Sequence, residues 1–183
     1  NILVTFHSET IFNEKENIKN LKIFLDSLKE LKDTSLIFTA PGADFYYKSI
    51  FKEIQKFVKK NSQAYFFKSL GHKNYFSLCK HVDLMIGNSS SGIIEMPSLK
   101  KWTINLGIRQ KGREKAKSVI NVKFNKLEIR KAILKLLFTS NDPSLKKVKN
   151  PYDNGSSSDK IINILKRIDI SDIKKKKFYD YTL

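Results

Sequence analysis

A chain of 183 residues with 40% hydrophobic and 11% aromatic content can bury a core of its own, which excludes a disordered segment. One cysteine, Cys79, excludes an internal disulfide and suits a reducing cytoplasm, and no apolar run has the length of a membrane span or the look of a signal peptide. The net charge of +17 rests mostly on lysines spread along solvated helix faces, and reads as a positive field that draws in nucleotides.

The chain begins at Asn1-Ile2-Leu3-Val4, already inside a strand and without Met, as a piece cut from a longer protein would. Residues 2–6 form that first strand, ending at His7. Ile18, Leu21, Leu25, Leu28 and Leu31 recur at three- and four-residue spacings and predict a helix over 14–32. A second strand spans 35–39, followed by the turn Pro41-Gly42. A helix over 44–60 turns Ile50, Ile54, Phe57 and Val58 inward, and 64–67 is a third strand. Gly71 breaks the chain before a short helix over 75–82. Cys79, in that apolar stretch, reads as a small core residue.

The fourth strand, Leu84-Met85-Ile86, stops at Gly87 and runs into Asn88-Ser89-Ser90-Ser91-Gly92 before an apolar helix that ends near Leu99. Asn and Ser cap helices because their oxygens accept from first-turn amides. A strand, a tight turn and a helix start would leave free amides, hydroxyls and the positive end of a helix dipole pointing together, which suits a phosphate. Gly92 is expected to let the backbone approach that anion, and Glu95, one turn on, to accept from a ribose hydroxyl. The competing expectation is an ordinary serine-capped loop.

Residues 102–106 form a fifth strand, stopped by Gly107 and followed by the basic turn Arg109-Gln110-Lys111-Gly112-Arg113-Glu114. A sixth strand over 118–122 precedes a helix bearing Leu127, Ile129, Ile133, Leu134 and Leu137. After Asn150-Pro151-Tyr152-Asp153-Asn154-Gly155, three serines cap a last helix over 158–168, built on Ile161, Ile162, Ile164 and Leu165. Residues 1–170 read as one domain and 171–183 as a basic tail.

Six alternations of continuous apolar strands with helices predict an α/β fold: a three-layer Rossmann-like domain with a mostly parallel six-stranded sheet. Such sheets bind ligands beyond the carboxyl ends of their strands. His7, Ser89 to Ser91, and Arg109 with Arg113 all fall at those ends. No Gly-x-Gly-x-x-Gly and no Walker sequence is present, so no dinucleotide site, P-loop, cofactor or metal is expected.

Three stretches, Gly87 to Glu95, Asn105 to Glu114 and Asn150 to Gly155, resemble the UDP-N-acetylglucosamine 2-epimerases. They are most similar to the hydrolysing branch that feeds sialic and related nonulosonic acids, and Thr5-Phe6-His7 agrees. The resemblance runs to about Ile168 and covers only the carboxyl-terminal half of such an enzyme. It implies a glycosyltransferase-B-like fold of two Rossmann-like halves, this chain being the nucleotide-binding half and the amino-terminal domain a missing partner. It further implies elimination of UDP across C1 and C2 to a 2-acetamidoglucal, then addition of water to give N-acetylmannosamine.

By the same resemblance, Ser89, Ser90, Ser91 and Gly92 hold the diphosphate with Arg113 beside them, while Arg109 supports the loop. Glu95 takes the ribose and Tyr75 stacks on the base. His7 is the histidine near the reaction centre, there to steady departing phosphate or relay a proton. The carboxylates that move protons belong mostly to the missing half, so this chain alone is expected to be inert, and a homo-oligomeric assembly stays open. Ser8-Glu9 stands where the family often has Pro, and Lys100-Lys101 replaces a Gly-x-Pro turn. The identity of the base and of the sugar stays open.

Two other readings compete. One is a sugar-nucleotide-binding domain of a glycosyltransferase with the same architecture, against which the Arg-Gln-Lys-Gly-Arg-Glu turn argues. The other is a basic nucleic-acid-binding module. Phe24, Phe38, Phe57 and Phe66 argue against it, because they fall on core faces and are not interleaved with exposed lysines.

Overall fold

The structure is a computed structural model that describes residues 1–140, 142–153 and 155–169; the expected basic tail, 171–183, lies outside the described residues. Six strands form one sheet: β1 (Ile2–Thr5), β2 (Leu36–Thr39), β3 (Ala64–Phe67), β4 (Leu84–Gly87), β5 (Trp102–Leu106) and β6 (Val119–Val122). Every pairing is parallel, in the order β3-β2-β1-β4-β5-β6.

Alternation along the strands builds two cores. Ile2 and Val4 of β1, with Leu84 and Ile86 of β4, face a core completed by Leu21, Phe24 and Leu28 of α1 (Glu14–Leu28), Ile50 and Ile54 of α2 (Tyr47–Lys59), and Ile129 and Ile133 of α5 (Lys126–Phe138). Leu3 and Met85 point the other way, onto Cys79 of α3 (Gly71–His81) and Met96. A sheet apolar on both faces must be covered on both, hence three layers.

Element ends differ from the periodicity where one residue overrides it. α1 begins at a capping box, with Asn13 Oδ1 accepting from the Glu16 amide at 3.0 Å and Glu16 Oε2 from the Asn13 amide at 3.1 Å. It ends at Leu28, short of residue 32, and Asp33 then turns left-handed at φ 51°. α2 begins three residues later than expected, after Tyr46 at φ 63°. Gly71 opens α3 and does not break it, so that helix is longer than the apolar stretch implied.

The largest difference follows β4. The helix expected to reach Leu99 is a single turn, α4 (Ser91–Ile94). Pro97 has no amide to continue the ladder, and Met96 N–H already reaches back to the Ser91 carbonyl, five residues away. On α5, Leu127 and Leu134 are exposed, while Leu136, which the sequence reading did not single out, is buried. α6 (Ser157–Leu165) belongs to a second unit that starts after Asp153, and its Ile161, Ile162, Ile164 and Leu165 are exposed.

Candidate functional site

β1 lies between β2 and β4. The chain leaves β1 toward one face of the sheet and β4 toward the other, so a crevice opens between their carboxyl ends. Register puts Thr5 beside Gly87 and Gly87 beside Asn105, so β1, β4 and β5 stop at one level. The polar turns after all three therefore meet. Gly87, at φ 144°, has to be glycine, because a Cβ there would fall 1.8 Å from the Thr5 carbonyl oxygen.

His7 enters this crevice from β1. Asn88, fully buried, holds its backbone from both sides: Oδ1 accepts from the His7 amide at 2.7 Å, and Nδ2 donates to the His7 carbonyl at 2.8 Å. The ring accepts at Nδ1 from the Gly42 amide, 2.9 Å away. An amide can only donate, so Nδ1 is unprotonated and the neutral ring carries its proton on Nε2. Burial, helped by Arg109 and opposed by Asp44, lowers the pKa of His7 to about 4. His7 is thus a neutral hydrogen-bond donor near neutral pH.

The turn after β4 differs from its expected geometry in two ways. Ser90, at the N-cap position, makes no side-chain cap bond, while Ser89 Oγ accepts from the Ser91 amide at 3.4 Å. The Ser89 and Ser90 amides have no protein acceptor among the described residues. One helical turn aligns few peptide dipoles, so attraction for an anion rests on these amides and nearby cations more than on a macrodipole. Gly92 serves packing: a Cβ there would fall 2.6 Å from Thr103 Cγ2 on β5.

Tyr75 and Glu95 stand apart from His7, on the α3 side of the turn. The Tyr75 hydroxyl lies 2.5 Å from Ser91 Oγ, and its ring packs against the cluster of Leu3, Cys79 and Met85. Burial raises the Tyr75 hydroxyl pKa, and the charge of Glu95 adds to the rise. Glu95 Oε2 is buried without a partner among the described residues.

The turn after β5 closes the crevice. Gln110, 2% exposed, donates from Nε2 to the Asn88 carbonyl at 2.9 Å and accepts from Arg113 at 3.0 Å. Arg109 donates to the same carbonyl at 3.3 Å and to Asp44 Oδ2 at 3.5 Å. Asn150 Nδ2 donates to the Ile94 carbonyl and to Ser98 Oγ, each at 2.7 Å, and the Tyr152 hydroxyl donates to the Glu114 carbonyl at 3.1 Å. The third motif is therefore a clip fastening the turns that carry the other two.

A cavity of about 710 Å³ results, lined among others by Ser8, Glu9, Asp44, Ser90, Arg109, Lys111 and Arg113. Of the residues expected to form the site, Ser90 and Arg113 line it together, whereas His7, Ser89, Ser91, Gly92, Tyr75 and Glu95 do not, His7 lying behind Asp44. Sequence reading missed Glu9 and Asp44, two carboxylates in a place expected to have no such pair. It also missed the part Asn88 plays as a clamp. The available signal was position alone: each follows a strand end.

Residues 1–166 match the sequence profile of the family described as UDP-N-acetylglucosamine 2-epimerase. The chain belongs to the UDP-N-acetylglucosamine 2-epimerase family. It is 43% identical over 127 residues to a GDP/UDP-N,N'-diacetylbacillosamine 2-epimerase (hydrolyzing) of Campylobacter jejuni, spanning 69% of this chain and 33% of that protein. It is 33% identical over 184 residues to the polysialic acid biosynthesis protein P7 of Escherichia coli, spanning 98% of this chain and 45% of that protein. The chain thus spans less than half the length of these relatives. In three dimensions it resembles the Methanocaldococcus jannaschii UDP-GlcNAc 2-epimerase solved with UDP-GlcNAc and UDP. The TM-score is 0.67 at 23% identity, covering 90% of this chain and 44% of the other, a likeness of fold.

Within this epimerase-family chain the remaining candidates are structural. Cys79 is fully buried, and burial pushes its thiol up to about 11. His81 Nδ1 lies 2.7 Å from the Ser77 carbonyl on its own helix, and the His72 ring packs against Phe76 at a tilt of 48°. Phe24, Phe38 and Phe57 are in the core, with Phe66 packed against it. Among the described residues no helix is long and apolar enough to cross a membrane.

Proposed function

We propose that this chain is the nucleotide-binding half of a hydrolysing UDP-N-acetylglucosamine 2-epimerase, acting on UDP-N-acetylglucosamine or a related UDP-sugar in sialic or nonulosonic acid or surface polysaccharide synthesis. One observation carries the reading: three motifs distant in sequence meet around a single crevice at the strand-order switch. The name of the Campylobacter jejuni relative supports the hydrolysing branch, and that of the Escherichia coli relative supports a place in sialic acid chemistry. The diphosphate would lie between the free amides of Ser89 and Ser90 and the guanidinium of Arg113, with Ser91 and Gly92 shaping the turn. Arg109 and Lys111 add positive charge. Glu95 Oε2, buried without a partner among the described residues, suits a ribose hydroxyl, and Tyr75 is assigned to the nucleoside side of the turn.

In the reaction, a base removes the C2 proton, the C1–O bond breaks, and UDP leaves with the electron pair. His7 Nε2–H donates to an oxygen of that leaving group, and the arginines take up its charge. Water then adds to the glycal to give the 2-epimer. The base belongs to the missing domain, since Asp44 is engaged by Arg109 and Glu9 is turned to a backbone amide. Calorimetry tests the reading: UDP should bind the 183-residue chain at about micromolar to millimolar Kd, roughly −8 to −4 kcal/mol, without turnover of UDP-N-acetylglucosamine. No saturation by several millimolar UDP, or turnover at an enzymatic rate, counts against it.

A further inference from the structure

Glu9 is a charged side chain in the cavity without a task in that mechanism. It is 2% exposed, and one of its oxygens makes no hydrogen bond of normal geometry among the described residues. An ionised carboxylate has about four acceptor sites, so burying one with so little satisfaction costs free energy that a core-filling leucine or methionine would not. Oε2 accepts from the Ile108 amide at 3.4 Å. Oε1 lies against Gly107, where a Cβ would come within 2.2 Å of it and 2.5 Å of the Phe124 ring. Gly107 sits at φ 69°, which favours glycine in itself, and its missing Cβ also leaves room for this carboxylate.

The Glu9 backbone is held as firmly. Its amide donates to Asn17 Oδ1 at 2.8 Å, and its carbonyl accepts from Asn17 Nδ2 at 3.1 Å. Asn17 is itself buried in the first turn of α1. A carboxylate on a fixed backbone thus reaches the amide that opens the β5 turn through one long hydrogen bond, and two residues further on Gln110 is tied to Asn88. Arg109 stands between these two attachments.

We propose that Glu9 is a positioning residue of this site: it sets the cationic turn through the Ile108 amide and takes up a proton from solvent when a polyanion binds. The second half rests on the reading of the crevice as a diphosphate site. Burial raises the Glu9 carboxyl pKa, against the lowering effect of the Ile108 and Arg109 amides, the Asn88 side chain and the Arg109 charge. Arg109, Lys111 and Arg113 on the β5 turn and Asp44 after β2 line the same cavity, with His7 behind Asp44. A bound diphosphate draws the field of those cations onto itself and repels a second anion beside it. The neutral acid is then favoured, and the proton comes from the buffer.

Two measurements on the 183-residue chain test this. First, the Ile108 amide resonance of the ligand-free parent should follow a carboxyl titration, and that response should be absent in Glu9→Gln. Second, calorimetry with UDP and with inorganic pyrophosphate at pH 6, in buffers of different ionisation enthalpy, should give smaller proton uptake for Glu9→Gln than for the parent. Glu9→Gln, which keeps an acceptor for Ile108, should bind near the parent's affinity, whereas Glu9→Ala should bind about tenfold more weakly. A pH-insensitive Ile108 amide in the parent overturns the positioning role. Proton uptake equal in parent and Glu9→Gln overturns the linkage. If the parent binds neither UDP nor pyrophosphate, the diphosphate reading fails and the linkage with it, while the Ile108 titration still decides the positioning role.

Discussion

Acidification should expose the cost of burying His7, and the structure sets its size. The ring accepts from the Gly42 amide, its side chain is 16% exposed, and its folded pKa is about 4 against an ordinary 6.5. A folded pKa below the unfolded one means the unfolded chain takes the proton first. Stability is therefore complete above the unfolded value, falls as pH drops from 6.5 toward 4, and stays reduced below that. Linkage between these two values gives a loss of about 2 kcal/mol by pH 5 and about 3 kcal/mol by pH 4. Other groups titrate in the same range, and Glu9 works in the opposite sense because its folded pKa is raised: it adds stability at low pH that is lost as pH rises. A comparison with His7→Asn removes these shared effects, since Asn offers an acceptor to Gly42 and does not titrate. Urea unfolding at pH 7, 6, 5 and 4 should show the parent losing about 2–3 kcal/mol more than His7→Asn across the series. Parallel profiles would refute the buried neutral imidazole. So would a nitrogen shift placing the proton on Nδ1.

Asn88→Ala should destabilise the fold by about 2–4 kcal/mol, because the His7 amide and carbonyl lose their partners together; it should weaken UDP binding in the same preparation, which denaturation and calorimetry measure separately. Ser90→Ala, which removes a hydroxyl not used for capping, should cost about 1 kcal/mol of affinity for both UDP and pyrophosphate with little change in thermal stability. Glu95→Gln should weaken UDP by about 1 kcal/mol, since an ionised acceptor makes the stronger bond, yet leave pyrophosphate unchanged or tighter. Equal losses for the two ligands would sink the ribose assignment.

Much of the architecture was legible because its causes are local. Continuous apolar runs at β1 and β4 mark strands buried on both faces, and three- and four-residue spacing marks α1 and α2. The placing of His7, the serine turn and the basic turn at strand ends followed from the same patterns. Local rules misjudged α4, where Pro97 and the bond from Met96 to Ser91 outweigh an apolar continuation. On α5 they could not tell a buried leucine from an exposed one.

The sequence by itself determined a parallel α/β sheet, the ends of its strands and which polar residues lie there, since each depends on neighbours a few positions away. Only the tertiary structure decided which ends adjoin, because strand order is set by how helices cover both faces and leaves no period in the chain. From that adjacency came the Asn88 clamp on His7, the Gly42 amide that fixes its tautomer, the Asn150 clip, and the burial of Glu9 against Gly107. These contacts join residues between 35 and 98 positions apart. Hydrogen bonds across such separations depend on three-dimensional packing, which no local pattern of residues encodes.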